Sequence, residues 1–223
     1  MATLLLRLAG PMQSWGTTSR FDERDTQQEP SKSGVLGLVC AALGRDRAEP
    51  VDDLAALRMG VRVEREGVPL RDYQTATGVL IASSGKPDQE RTVVSPRYYL
   101  ADAVFLVGLE GDRGLLASIH QALASPVWSL ALGRKSYVPS LPVYLPDGVS
   151  EQPLRAALAA WPCLLTGEVP QVPRRVLLEH PSEGSVRLDQ PVAAFAERRF
   201  GPRFVKSELF FTGASHVPDP TAA

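Results

Sequence analysis

The chain has 223 residues, 44% of them apolar and 22% charged, with a formal net charge of −1. That balance is the one expected of a soluble globular protein able to bury a substantial core, as one domain or two small ones, and it excludes bulk basicity as a route to anion binding. Gly (18) and Pro (19) favour many turns over a helical bundle, and the two cysteines, Cys40 and Cys163, form neither a disulfide framework nor a metal-ligand pattern.

TLLLRLA (3–9) is a strand-type apolar run closed by Gly10-Pro11. MATLLLRLAG has no leading basic region and falls far short of the ~20 residues that span a bilayer, so the expectation is a soluble, cytoplasmic protein. A polar, irregular stretch runs from Met12 to Ser31. SGVLGLVCAALG (33–44) then places Val35, Leu36, Val39, Ala42 and Leu43 at helical spacing, with Ser33 as N-cap, Gly44 as stop and Cys40 in the core. RMGVRVERE (58–66) alternates like a half-buried strand, and Gly67-Val68-Pro69 turns it into LRDYQTATGVLI (70–81).

SSGKPDQER (83–91) is wholly polar or Gly/Pro between two β-prone runs, which predicts a long hairpin projecting from the body with Lys86 and Arg91 at its tip. RYYLADAVFLVGLEG (97–111) reads as one strand. DRGLLASIHQALASP (112–126) sets Leu115, Leu116, Ile119 and Leu123 on one helical face, capped by Asp112 and stopped before Pro126. VWSLALG (127–133) reads as the closing strand of a split βαβ, ferredoxin-like unit. Beyond it, QPLRAALAAW (152–161) predicts a short helix, and RRVLLE (174–179), SVRLD (185–189) and RFVKSELFF (203–211) predict strands. The expected division is a domain over 1–145, a smaller β-rich module over 146–215 and a disordered tail over 216–223.

Several segments carry candidate chemistry. Arg134 and Lys135 sit together in LALGRKSYVPSLP (130–142), with no Asp or Glu between Asp112 and Asp147 to neutralise them. An acid from elsewhere in the fold or a non-protein anion must do so. In SKSGVLGL (31–38), Lys32 beside a helix opening at Ser33-Gly34 fits an anion site or a capped helix with a solvated lysine. Lys32 follows Pro30-Ser31 rather than glycine, which rules against a phosphate-binding NTPase loop. GPMQSWG (10–16) puts Gln13 and Trp15 between glycines, where Trp15 can stack on a base or plug the sheet edge. ERRFGPRFVK (197–206) interleaves Arg198, Arg199, Arg203 and Lys206 with Phe200 and Phe204, a pattern shared by single-strand binders and ordinary surface strands. His120, His180 and His216 have no metal spacing and no defensible triad order. A metal-free ribonuclease would draw on Tyr137 and Lys135.

In order, LLLRLAGPMQSWG, PSKSGVLGLVCAALGRDR, RDYQTATG, RYYLADAVFLVGLEG and SPVWSLALGRKSYVPSLPV resemble the CasD family, RAMP-group subunits of type I-E CRISPR Cascade. The resemblance covers roughly residues 3–145 closely and the rest more loosely. It implies an α+β, ferredoxin-like (RRM/RAMP-type) antiparallel sheet with helices on one face, a β-hairpin thumb at about 78–96 and a smaller β-rich C-terminal module. It further implies a non-catalytic RNA-binding subunit that caps the 5′ handle of the CRISPR RNA. The implied partners are the CasA large subunit, the CasC backbone subunits and, within the complex, target DNA. The RNA-binding set expected is Gln13, Trp15, Lys32, Ser33, Gly34, Gln74, Lys86, Arg91, Arg97, Arg134, Lys135, Ser136, Tyr137, Arg198, Arg199 and Arg203, with no cofactor, metal or catalytic residue. Related type I-C subunits cut precursor RNA with a Tyr, Lys and His set. Here Ser136 follows Lys135, a departure that argues for binding without cleavage. The competing reading is a metal-independent endoribonuclease that processes the precursor.

Overall fold

The structure is a computed structural model, described over residues 1–17, 23–80, 85–166 and 173–210. In chain order the strands are β1 (Ala2–Ala9), β2 (Met12–Gln13), β3 (Arg58–Arg65), β4 (Val68–Leu80), β5 (Pro87–Ala101), β6 (Val104–Gly111), β7 (Val149–Ser150), β8 (Arg174–His180), β9 (Ser185–Pro191) and β10 (Phe200–Phe210). The helices are α1 (Lys32–Leu43), α2 (Asp52–Ala55), α3 (Arg113–Ala124) and α4 (Leu154–Ala160). Seven strands form one antiparallel sheet in the order β7-β1-β6-β3-β8-β10-β9, and β2-β5-β4 form a second sheet. Among the described residues no helix is long and apolar enough to cross a membrane.

Alternation along the strands builds a core on each face. Leu4, Leu6 and Leu8 of β1 join Phe105, Val107 and Leu109 of β6 in packing against α1 and α3, while Leu5 and Leu106 point to the opposite face. Each fully buried leucine contributes roughly 2 kcal/mol. The α3 face is the one expected, with Leu116, Ile119 and Leu123 buried and the Asp112 carboxylate accepting from Leu115 N. Ser31, not Ser33, caps α1: its Oγ accepts from Gly34 N at 3.3 Å, and its extended backbone lies outside the helix. Gly44 ends α1 at φ 72°, as its position predicts.

The opposite face is also covered, which differs from helices on one side only. There Leu154, Ala157 and Leu158 of α4 pack on Leu5, Leu106 and Val176. Arg62 of β3 reaches into this layer fully buried and donates to the carbonyls of Leu158, Trp161 (2.7 Å) and Pro162 (2.8 Å) around the C-terminal end of α4. It also pairs with Glu64, whose other oxygen lies 3.2 Å from Arg174. Burial lowers the Arg62 pKa, and only this dense set of acceptors makes such a buried guanidinium tolerable.

Three further expectations change. Residues 97–111 are two strands in different sheets, because Asp102 turns the chain at φ 56° between β5 and β6. Residues 127–133 are irregular rather than a strand, and β7 takes the place beside β1. The C-terminal strands extend the main sheet instead of forming one of their own, since β8 pairs directly with β3. The long hairpin is β4–β5, paired from Val68↔Ala101 outward to Leu80↔Pro87 and largely exposed over its outer half. Part of its tip (83–84) and the tail at 216–223 lie outside the described residues.

Candidate nucleic-acid interface

The chain segments singled out for chemistry converge on one open cleft of about 250 Å³. Ser14, Trp15 and Gly16 form one wall, Ser31, Ser33 and Gly34 at the start of α1 another, and Gly133 with Arg134 a third. Arg24, Asp25, Phe195 and Phe200 complete it. Gly133 is required here. At φ 95° it packs so closely on the Ser14 backbone that an added Cβ would stand 1.8 Å from Ser14 O. Leu132 O accepts from Ser14 N at 3.0 Å, and Leu132 N and Tyr137 N close the loop onto Tyr137 O and Arg134 O at 2.8 and 2.9 Å. Tyr137 is buried beneath this turn, whereas Lys135 and Ser136 are exposed on it.

Trp15 is core rather than a stacking platform. It is 1% exposed, lies against Gly34, and donates through Nε1 to Gln13 Oε1 at 3.2 Å. Gln13 is also fully buried, donating to Ala103 O at 2.8 Å and Leu8 O at 3.3 Å. Trp15 lines the wall and is bonded to the buried Gln13, so neither offers the cleft a free polar edge.

The α1 start is likewise committed. Lys32 is 1% exposed, and its Nζ lies 3.1 Å from both Glu179 oxygens. Burial lowers its pKa against the pull of Glu179. The anion at this helix N-terminus is internal: Asp189 Oδ2 accepts from Lys32 N at 2.8 Å. The same carboxylate takes Arg203 bidentately at 2.6 and 2.9 Å, which removes Arg203 from the surface as well. Ser33 and Gly34 remain half-exposed at the cleft.

Arg198 and Arg199 are exposed on the turn between Phe195 and Phe200, whose rings are 6.4 Å apart, and Arg199 pairs with Glu197 at 3.3 Å. On the hairpin, Lys86 and Arg91 are exposed near the tip, and Gln74 Nε2 donates to Asp72. Arg97 lies at the hairpin base, bridged to Arg24, with a buried Nε that has no acceptor. The cleft therefore unites Trp15, Ser33, Gly34 and Arg134, with Lys135, Ser136, Arg198 and Arg199 exposed in the adjoining turns. Arg24 and Asp25 were not anticipated, because the acids flanking Arg24 hide its charge in a sequence reading. The Asp25 carboxylate accepts from Thr17 N at 3.3 Å.

Neither His120 nor His180 lines the cleft. His120 Nε2 lies 2.8 Å from Leu145 O, and His180 Nδ1 accepts from Glu183 N at 2.9 Å. Among the described residues no group of three or more His, Cys, Asp or Glu could hold a metal ion. Burial pushes the Cys40 thiol up to about 11, so it is unreactive near neutral pH.

Comparison with known proteins agrees with this architecture. The chain is 53% identical, with a TM-score of 0.78, to a solved structure described as "Crystal structure of Cas protein", covering 94% of this chain and 95% of that one. It is 36% identical, with a TM-score of 0.75, to a chain of a "CRISPR RNA-guided surveillance complex", covering 93% and 90%. It is also 34% identical over 172 residues to the "CRISPR system Cascade subunit CasD" of Escherichia coli (strain K12), 70% of this chain and 75% of that protein. The family model described as "CRISPR-associated protein (Cas_Cas5)" matches residues 3–206, from the first strand to the last, and to that family this chain belongs.

Proposed function

We propose that this chain is a subunit of a Cascade-type, RNA-guided CRISPR surveillance complex, and that it binds the 5′ handle of the CRISPR RNA without cutting it. The observation that carries the reading is the Gly133–Tyr137 loop at the edge of the cleft, on which Lys135 and Ser136 are exposed with no neighbouring acid in the sequence. A lysine there is a point charge for a phosphate, and the hydroxyl of Ser136 supplies a neutral donor. The strand order β7-β1-β6-β3, with α1 and α3 on one face, supports a ferredoxin-like body for the first two-thirds of the chain. The β4–β5 hairpin then serves as the thumb. CasA-type and CasC-type subunits are the protein neighbours in this reading, target DNA is a further contact inside the complex, and the site of action is the cytoplasm. Of the histidines among the described residues, His120 is engaged at Leu145 O and His180 at Glu183 N and neither lines the cleft, which supports binding over cleavage.

The test uses end-labelled CRISPR repeat RNA in EDTA, run on native and denaturing gels, with the chain alone and with the other Cascade subunits. Intact, shifted RNA is the expected result. Lys135→Ala is expected to weaken binding and reduce the slope of log K against log salt by about 0.7, the share of one phosphate on a single strand. Equal slopes for parent and variant would remove the phosphate role of Lys135. A specific cut lost in Lys135→Ala would make the chain a nuclease.

A further inference from the structure

Arg134, expected to meet phosphate, turns inward. Its Nη1 donates to Tyr137 Oη at 2.7 Å, and its Nη2 donates to Tyr98 O at 3.0 Å and Arg24 O at 3.2 Å. The guanidinium carbon lies 5.3 Å from the centroid of the Tyr137 ring. These acceptors belong to three segments: the loop itself, the base of β5, and the stretch at Arg24. Tyr98 N donates to Arg24 O at 2.8 Å and Arg24 N to Pro96 O at 2.9 Å, so that stretch is already fastened to β5. Ser14 closes the ring, reaching Tyr98 O through Oγ at 3.3 Å and Leu132 O through N at 3.0 Å.

We propose that Arg134 is a positioning residue that fastens the Gly133–Tyr137 loop to the base of the β4–β5 hairpin, so that Lys135, Ser136 and the hairpin meet single-stranded RNA as one unit. This rests on the handle-binding reading. The planar fork reaches the hydroxyl from Nη1 and the two carbonyls from Nη2, whereas the three donors of a lysine ammonium radiate from a single nitrogen and do not reproduce that spread. All three acceptors are formally neutral. A loop anchored this way needs no carboxylate near Lys135, where an acid would cancel the charge and repel phosphate.

The test compares Arg134→Ala, Tyr137→Phe, Lys135→Ala and the Arg134→Ala/Lys135→Ala double variant. RNA affinity and salt slope are measured in the full assembly, and amide hydrogen exchange in the free full-length chain. Arg134→Ala is expected to weaken RNA binding roughly tenfold in the parent but under about threefold in the Lys135→Ala background, because both act on one contact. The double variant is expected to keep the salt slope of Lys135→Ala alone. Tyr137→Phe removes an acceptor and no charge, so a loss of affinity at unchanged melting temperature would be a loss of positioning. In the free chain, exchange at the Tyr98 and Ser14 amides is expected to rise in Arg134→Ala. Multiplying losses, with a slope reduced by about 1.4 in the double variant, would make Arg134 a direct phosphate ligand and overturn the proposal. If the parent assembly binds no CRISPR RNA, the handle-binding reading fails, and unchanged exchange at Tyr98 would then overturn the anchor too.

Discussion

Charge alone does not make a side chain a ligand here; the location of its partner does. Lys32, Arg134 and Arg203 look equally available in sequence, yet Glu179, Asp189 and backbone carbonyls claim them in the fold, while Lys135 stays exposed. Those partners lie far along the chain or carry no charge, so a reading of neighbouring residues does not register them. Cap and stop residues, by contrast, act over three or four positions, and Asp112 and Gly44 were legible for that reason. Gly133 shows how much one residue decides. A methyl group there meets Ser14 O at 1.8 Å, and its φ of 95° is strained for any L side chain. Gly133→Ala is therefore expected to cost on the order of 3 kcal/mol in urea unfolding. A cost below about 1 kcal/mol would show that the loop relaxes away from Ser14 without penalty.

Among the elements, α1 is held at its start by strands from the other end of the chain. Asp189 of β9 closes its N-terminus and binds Arg203 of β10 in the same stroke. Asp189→Asn leaves Arg203 buried without its charge partner, and an expected loss on the order of 3 kcal/mol follows, measurable by chemical denaturation. A neutral result would mean that Arg203 swings out to solvent. The misread stretch 127–133 is explained at this scale. Its Val and Trp have strand propensity, but Val127 N and Trp128 N donate to Ala42 O and Ala41 O at 3.0 Å each. The segment finishes α1 instead of joining the sheet, a use of backbone donors that propensity does not encode. The two residues of β7 that do pair with β1 carry too little periodicity to be noticed.

At the scale of the molecule, the long hairpin and the sheet are separable. The outer halves of β4 and β5 are mostly exposed and bury little of either core. Deleting residues 83–91 is expected to leave the melting temperature within a few degrees of the parent while impairing assembly with guide RNA. Aggregation of the shortened chain would instead make the hairpin part of the core. The hairpin was legible because its strands adjoin in sequence; the joining of β8 to β3 was not, because such pairing is set by tertiary contacts alone. The order β8-β10-β9 has a consequence for biosynthesis. Among the described residues, β10 lies between the two strands that precede it, and β9 has β10 as its one sheet neighbour. A chain growing from its N-terminus can complete these three of the seven strands only once Phe210 has left the ribosome, so this part of the sheet closes after β1, β6 and β3 can already pair.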